Sequence, residues 1–182
     1  MAAARCGTAQ LTRSRCASTQ RPFIPDLPVP PVSIIHFEDF VVGSVAEHGR
    51  RRVTREEIIA FAAEFDPQPM HMDEDFARTT MLGGLAASGW HTIAIGMRLI
   101  VDAFMGNAAS LGSPGIDEVR WLKPVRPDDE LTLRYTVLET RPLKSRPAWG
   151  LVRFRFELVN QNREVVSIQE NVNLFGRRES GA

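Results

Sequence analysis

Beyond residue 130 the apolar side chains alternate with polar ones at a period of two. Leu131, Leu133, Tyr135 and Val137 share one face of a run over 130–140. Val152, Phe154, Phe156 and Leu158 alternate with Arg153, Arg155 and Glu157. After a polar turn at 160–163, Val166, Ile168, Val172 and Leu174 again fall on one face. Residues 116–122, just ahead of Pro124, add another strand. Period-two runs joined by short turns predict an antiparallel sheet with one face buried.

The N-terminal half follows the 3.6-residue period instead. Residues 37–53 read as a lead-in and a first strand, with a turn at Gly43. Thr54 and Glu57 form a capping box, in which each side chain satisfies the other's free backbone N–H. The helix they open buries Ile58, Ile59, Phe61, Ala62 and Phe65, and Pro67 ends it near Phe65. Residues 66–71 form a proline-stiffened loop, and Asp73 is placed to cap a short helix. From 87 to 105 the spacing predicts a long buried helix covered by sheet. Its apolar face holds Trp90, Ile93, Met97, Val101 and Phe104, widened by Ala94 and Ile100, and a narrower, partly polar stripe holds His91, Ile95, Arg98 and Asp102. Helices followed by a run of strands make an α+β fold.

Composition narrows the class. The chain has 182 residues, 43% hydrophobic and 24% charged, with 22 basic and 22 acidic side chains. That is one ordinary domain plus a tail, and no global basic field calls for nucleic acid. Arg5, Arg13, Arg15 and Arg21 lie within the first 25 residues without any acid, which leaves the remainder at a formal charge of −4. Residues 1–32 read as a disordered extension, and the Arg-rich, acid-free pattern of its first 25 residues also fits a transit peptide. The domain is expected over 33–176 and a short tail over 177–182. The expected location is the cytoplasm, or the mitochondrial matrix if the extension is a transit peptide. Cys6 and Cys16 both lie in the extension, so no disulfide or cysteine zinc site belongs to the domain. The longest stretch without Lys, Arg, Asp or Glu, 79–97, is broken by Gly83, Gly84 and Gly89 and is not expected to span a membrane.

Candidate chemistry starts with the histidines, of which there are four. His71 follows Asp66 by five residues, with Pro67 and Pro69 between them. The prolines break the helix, so both side chains can turn into one cleft, where a carboxylate beside an imidazole holds a water and moves its proton. By spacing alone, a capped turn and a packed loop histidine explain the pair better than a catalytic site does. Ser88 and Gly89 open the long helix. The unpaired N–H groups of a helix's first turn can stabilise an enolate oxygen, and a plain serine cap explains the same residues. A metal site at His71 and Asp73 would have too few ligands. Arg98 and Asp102 are spaced as a helical ion pair. Lys123, Arg126, Arg141 and Lys144 are cations available to a phosphate-bearing ligand or simply solvated.

Taken in order, these segments resemble the MaoC-like, or (R)-specific enoyl-CoA hydratase, family. The resemblance rests on Phe37-Glu-Asp-Phe40 with Gly43, the helix 54–63, the loop Asp66-Pro-Gln-Pro-Met-His71-Met-Asp73, Ala87-Ser-Gly-Trp90, and the strand and turn 121–131. It covers about 35–176. It implies a hot-dog fold, an antiparallel sheet wrapped around the long helix, paired as a homodimer or higher homo-oligomer. It also implies that Asp66 and His71 are the catalytic water-binding pair, and that Ser88 and Gly89 bind substrate through the backbone, the Gly89 N–H facing the thioester oxygen. The implied reaction is reversible hydration of trans-2-enoyl-CoA to (R)-3-hydroxyacyl-CoA. In it Asp66 accepts a proton as water attacks C3, and His71 orients the water and relays a proton to C2. No cofactor or metal is expected, because conjugation already makes C3 electrophilic. The chain departs from the family at Ser88, where many members carry histidine, and at Asp128, where the turn often carries glycine. Two other activities fit the same fold: a non-catalytic acyl-thioester-binding module, and a thioesterase. The second would place an acid on the long helix, where Asp102 near the far end is the candidate.

Overall fold

The computed structural model describes residues 34–178. The extension expected over 1–32, with both cysteines, lies outside the described residues, as do residues 179–182. Within them the order is β1 (Val45–Arg52), α1 (Arg55–Phe65), α2 (Pro69–Met72), α3 (Glu74–Arg78), α4 (Gly89–Ala103), β2 (Ser110–Gly112), β3 (Ile116–Trp121), β4 (Glu130–Pro142), β5 (Trp149–Val159) and β6 (Val165–Gly176). The six strands form one antiparallel sheet in the order β1-β4-β5-β6-β2, and β3 also pairs with β6. The sheet curls around α4, which is the hot-dog arrangement.

The local signals act as the sequence suggests. Thr54 Oγ1 accepts from the Glu57 N–H at 3.1 Å, and the Thr54 N–H donates to Glu57 Oε1 at 3.2 Å. Asp66 is the C-cap of α1, its N–H donating to the Ala62 carbonyl. Asp128 adopts the left-handed conformation, with φ of +71°, and its carboxylate accepts from Arg52 at 2.7 Å. That conformation is why glycine suits this turn, and aspartate is among the few other residues that tolerate it. The packed unit runs past 176, because Arg177 and Arg178 hydrogen-bond to Glu38 and Asp39.

The core lies between α4 and the concave face of the sheet. Leu131, Leu133, Val137, Val152 and Phe154 meet Ile95, Leu99 and Ile100 there. β1 breaks register between His48 and Arg51, and Gly49 takes a φ of +73°. A Cβ at Gly49 would lie 2.8 Å from Leu99 Cδ2, so this bulge is what lets β1 close onto α4.

Three expectations need correction. The first is the buried face of α4: Trp90, Met97 and Val101 are exposed, and the buried residues are His91, Thr92, Ile95, Gly96, Leu99 and Ile100. Both stripes carry enough apolar surface, so bulk does not decide between them. The smaller stripe fits closer to the sheet, with Gly96 against Leu158, and Thr92 satisfies its hydroxyl on the Ser88 carbonyl. The second is β6. Phe154 pairs with Asn171 and Val152 with Asn173, and directly paired residues share a face, so the asparagines point inward with the core side chains of β5. Val166 is buried as expected, but the register slips between Leu158 and Val159, and beyond the slip Val172 and Leu174 lie on the outer face. The inward amides satisfy one another: Gln169 donates to Asn171 at 2.9 Å and Asn171 to Asn173 at 2.8 Å. The third is the loop at 66–71, whose second half is helical. Pro69 occupies the first turn of α2, where its missing N–H costs nothing.

Candidate active site

Asp66 and His71 reach one cavity by different routes. Asp66 stands where α1 ends. The Gln68 N–H then donates to the Asp66 carbonyl at 2.7 Å, and the His71 N–H to the Gln68 carbonyl at 2.9 Å, which folds the chain back on itself. His71, buried, accepts its orientation from the Ala86 carbonyl, which lies 2.9 Å from Nδ1. A carbonyl can only accept, so Nδ1 carries a proton here and Nε2 is the ring nitrogen that faces the cavity side. That Nε2 lies 3.7 Å from Asp66 Oδ2. The distance is too long for a direct hydrogen bond and short enough for one water oxygen to reach both atoms.

The other side of the cavity is the start of α4. Ser88 Oγ accepts from the Trp90 N–H at 3.2 Å, as an N-cap does, and its own hydroxyl donates to Asp66 Oδ2 at 2.5 Å. Gln68 Nε2 donates to the other carboxylate oxygen, Oδ1, at 2.6 Å. The hydrogen bond from Ser88, then that from Gln68, hold the Asp66 carboxyl below its ordinary range; His71 adds a smaller effect in the same direction and partial burial opposes all three. Gly89 is the first residue of α4, so the helix leaves its N–H without an internal partner.

The segment leading into α4 is held from the sheet side. Arg126 donates to the carbonyls of Leu82, Gly84 and Leu85, at 2.7 Å for Gly84, and the Ala87 N–H donates to the Val125 carbonyl at 2.9 Å. Trp121, at the end of β3, donates its indole N–H to the Gly89 carbonyl at 3.0 Å. A Cβ at Gly89 would lie 2.6 Å from the Trp121 ring, so the protein itself requires glycine here. Trp90 and Trp121 meet edge to face, with centroids 6.0 Å apart. The resulting cavity, about 450 Å³, is lined by Asp66, His71, Ser88, Gly89, Trp121 and Val125 among others.

All four residues singled out from the sequence therefore meet. Gln68 and Trp121 were not assigned a role there. Gln68 sits on an exposed turn, and Trp121 on a strand edge, and neither carries a pattern that points to the cavity. Several other residues singled out from the sequence have local partners. Asp73 is used as a cap, its Oδ1 accepting from the N–H groups of Asp75 and Phe76. Among the described residues no group of three or more His, Cys, Asp or Glu is arranged to hold a metal ion. Arg126 is committed to carbonyls, and Lys123 pairs with Glu164 at the surface. Arg98 and Asp102 form the expected ion pair at 2.8 Å. Among the described residues no helix is long and apolar enough to cross a membrane.

Known proteins are similar to this chain in sequence and fold. A MaoC-like dehydratase from Rhodospirillum rubrum superposes with a TM-score of 0.74 at 43% identity, over 80% of this chain and 99% of that one. An (R)-hydratase from Pseudomonas aeruginosa superposes with a TM-score of 0.62 at 24% identity, over 80% of this chain and 97% of that one, a likeness of fold. The uncharacterized protein YdeM of Bacillus subtilis is 37% identical over 109 residues, 59% of this chain and 77% of its own length. Residues 39–148, more than half of the chain, match the MaoC like domain, and the protein belongs to the MaoC-like dehydratase family.

Proposed function

We propose that this protein is an acyl-thioester hydro-lyase that reversibly hydrates trans-2-enoyl-CoA to (R)-3-hydroxyacyl-CoA. The observation that carries the reading is the 3.7 Å separation of Asp66 Oδ2 and His71 Nε2, inside a cavity that also receives the first turn of α4. The two acceptors bind the two hydrogens of one water, which turns its lone pairs towards C3 of the enoyl group. The thioester oxygen sits at the Gly89 N–H, and charge that develops on it is stabilised by the helix terminus. Conjugation makes C3 electrophilic, so proton movement and this electrostatic help are sufficient. Thioester hydrolysis gains no support, because the first turn of α4 carries no acidic residue.

The same reading includes a second copy of the chain. Trp90, Met97 and Val101 form an exposed apolar stripe on α4, and Ile116 and Trp121 of β3 are exposed on a strand that, among the described residues, pairs with β6 alone. An unpaired strand edge next to an apolar face is the shape that a two-fold partner completes.

The test is direct. Purified protein should consume crotonyl-CoA, followed as loss of the conjugated thioester absorbance, and chiral analysis should find the (R)-3-hydroxy product. His71→Ala should lower turnover by ~10²–10⁴-fold. A wild-type protein that turns over no short, medium or long enoyl-CoA in either direction would end the hydratase reading.

A further inference from the structure

We infer that Arg126 is a positioning residue: its guanidinium holds the backbone segment that carries the Ala86 carbonyl and the Gly89 N–H to the cavity. The inference rests on the hydratase reading and deepens it. Residues 79–88 connect α3 to α4 outside any helix or strand. Leu85, Ala86, Ala87 and Ser88 are nevertheless buried. Irregular backbone withdrawn from water needs a partner for each N–H and carbonyl, because a helix or sheet ladder does not supply one.

The segment after β3 supplies these partners. Arg126 donates from one guanidinium nitrogen to the Gly84 carbonyl at 2.7 Å and the Leu85 carbonyl at 3.2 Å, and from the other to the Leu82 carbonyl. Among the described residues, none of these three carbonyls accepts from a backbone N–H. Gly84 takes a φ of +150°, and a Cβ there would lie 3.3 Å from Arg126 Nη1, so glycine keeps room for the guanidinium. Val125, the preceding residue, accepts from the Ala87 N–H at 2.9 Å, and the Ala86 carbonyl lies 2.9 Å from His71 Nδ1. Arginines such as Arg52, Arg98 and Arg134 pair with carboxylates. At Arg126 the carboxylate of Asp129 accepts from the backbone N–H instead, at 2.7 Å, and also from Gln161 at 2.8 Å. The turn that bears the guanidinium is thus pinned, and the side chain is left to the carbonyls.

Arg126 stands behind the site. Val125 lines the cavity that receives Asp66 and His71, whereas Arg126 lines another, of about 300 Å³, with Glu74, Arg78, Gly83 and Gly84. Its influence therefore passes through the backbone. A guanidinium presents donors on two nitrogens in a rigid plane, whereas a lysine has a single nitrogen on a flexible stem. Without the fork, residues 82–87 can shift and take the Ala86 carbonyl and the Gly89 N–H with them. Placement of that N–H counts most when charge develops on the thioester oxygen, so the loss falls on kcat more than on KM.

The test joins kinetics on crotonyl-CoA to hydrogen exchange. Arg126→Ala should lower kcat about 10–100-fold and change KM by less than about threefold. Guanidinium at about 50 mM, far below the molar concentrations that unfold proteins, should restore kcat severalfold in this variant and leave the wild type unchanged. A variant that is merely destabilised would instead lose activity when a denaturant is added. Amides of residues 82–90 should exchange about tenfold faster in Arg126→Ala, with those of β4 and β5 unchanged. If Arg126→Ala does not fold, Arg126→Lys keeps the charge without the fork and should lose about tenfold in kcat. A lysine variant within about twofold of wild type, or an alanine variant with wild-type kcat, would overturn the assignment. So would a loss that guanidinium does not relieve, or unchanged exchange over residues 82–90. A wild-type protein inactive on every enoyl-CoA defeats the hydratase reading instead, and the exchange then still decides whether Arg126 holds the segment.

Discussion

Asp66 is held at both its backbone and its side chain. It caps α1 through its backbone and collects donors from Gln68 and Ser88 on its side chain. Asp66→Asn keeps the shape and removes the charge, so turnover should fall by ~10²–10⁴-fold with the fold intact, checked by kinetics beside circular dichroism. Gly89 makes a sharper case. Gly89→Ala would drive a methyl into the Trp121 ring, so the variant should lose most activity, measured with crotonyl-CoA. His91 titrates against stability. Burial lowers its pKa, with Glu57 opposing and Arg51 adding to the effect. The folded protein thus binds a proton less readily than the unfolded chain, so stability is full above about pH 6.5 and is lost as pH falls through that value. The urea midpoint should drop between about pH 7.5 and about pH 5.5, and drop less in His91→Phe.

Among the elements, β5 organises the core. Phe154 is fully buried and packs against Phe40, Phe104, Phe156 and Phe175. Phe154→Ala should cost about 3–5 kcal/mol of unfolding free energy, measured by denaturant titration. Its alternation is plain in the sequence, as are the cap and stop of α1, because those signals are local. The inward face of β6 is not local. It follows from pairing with β5 across a register slip, which no reading of β6 by itself can supply. The orientation of α4 fails for a related reason. Two apolar stripes compete, and the choice depends on how closely Gly96 and the Gly49 bulge let the sheet approach. The site divides in the same manner. Asp66, His71, Ser88 and Gly89 are legible because a proline-broken spacing and a helix start announce them. Gln68 and Trp121 become visible only when the chain has closed and their partners can be seen.

For the whole molecule, assembly is the open prediction. Burying Trp90, Met97 and Val101 with the β3 edge against a second copy should give twice the chain mass in sedimentation. Met97→Arg, which sets a charge in the middle of that stripe, should shift the species towards the single chain. A monomeric wild-type protein would leave the stripe to another use. Since Trp121 carries both the β3 edge and the contact to Gly89, a variant that dissociates should also lose turnover.

The edge-to-face meeting of Trp90 and Trp121 beside Gly89 has a practical consequence. Two of the chain's three tryptophans flank the cavity, and the third, Trp149, lies under the guanidinium of Arg146. Intrinsic ultraviolet emission is thereby concentrated where an acyl chain would enter. A ligand entering that cavity should therefore change the emission of Trp90 and Trp121, a change readable without a label.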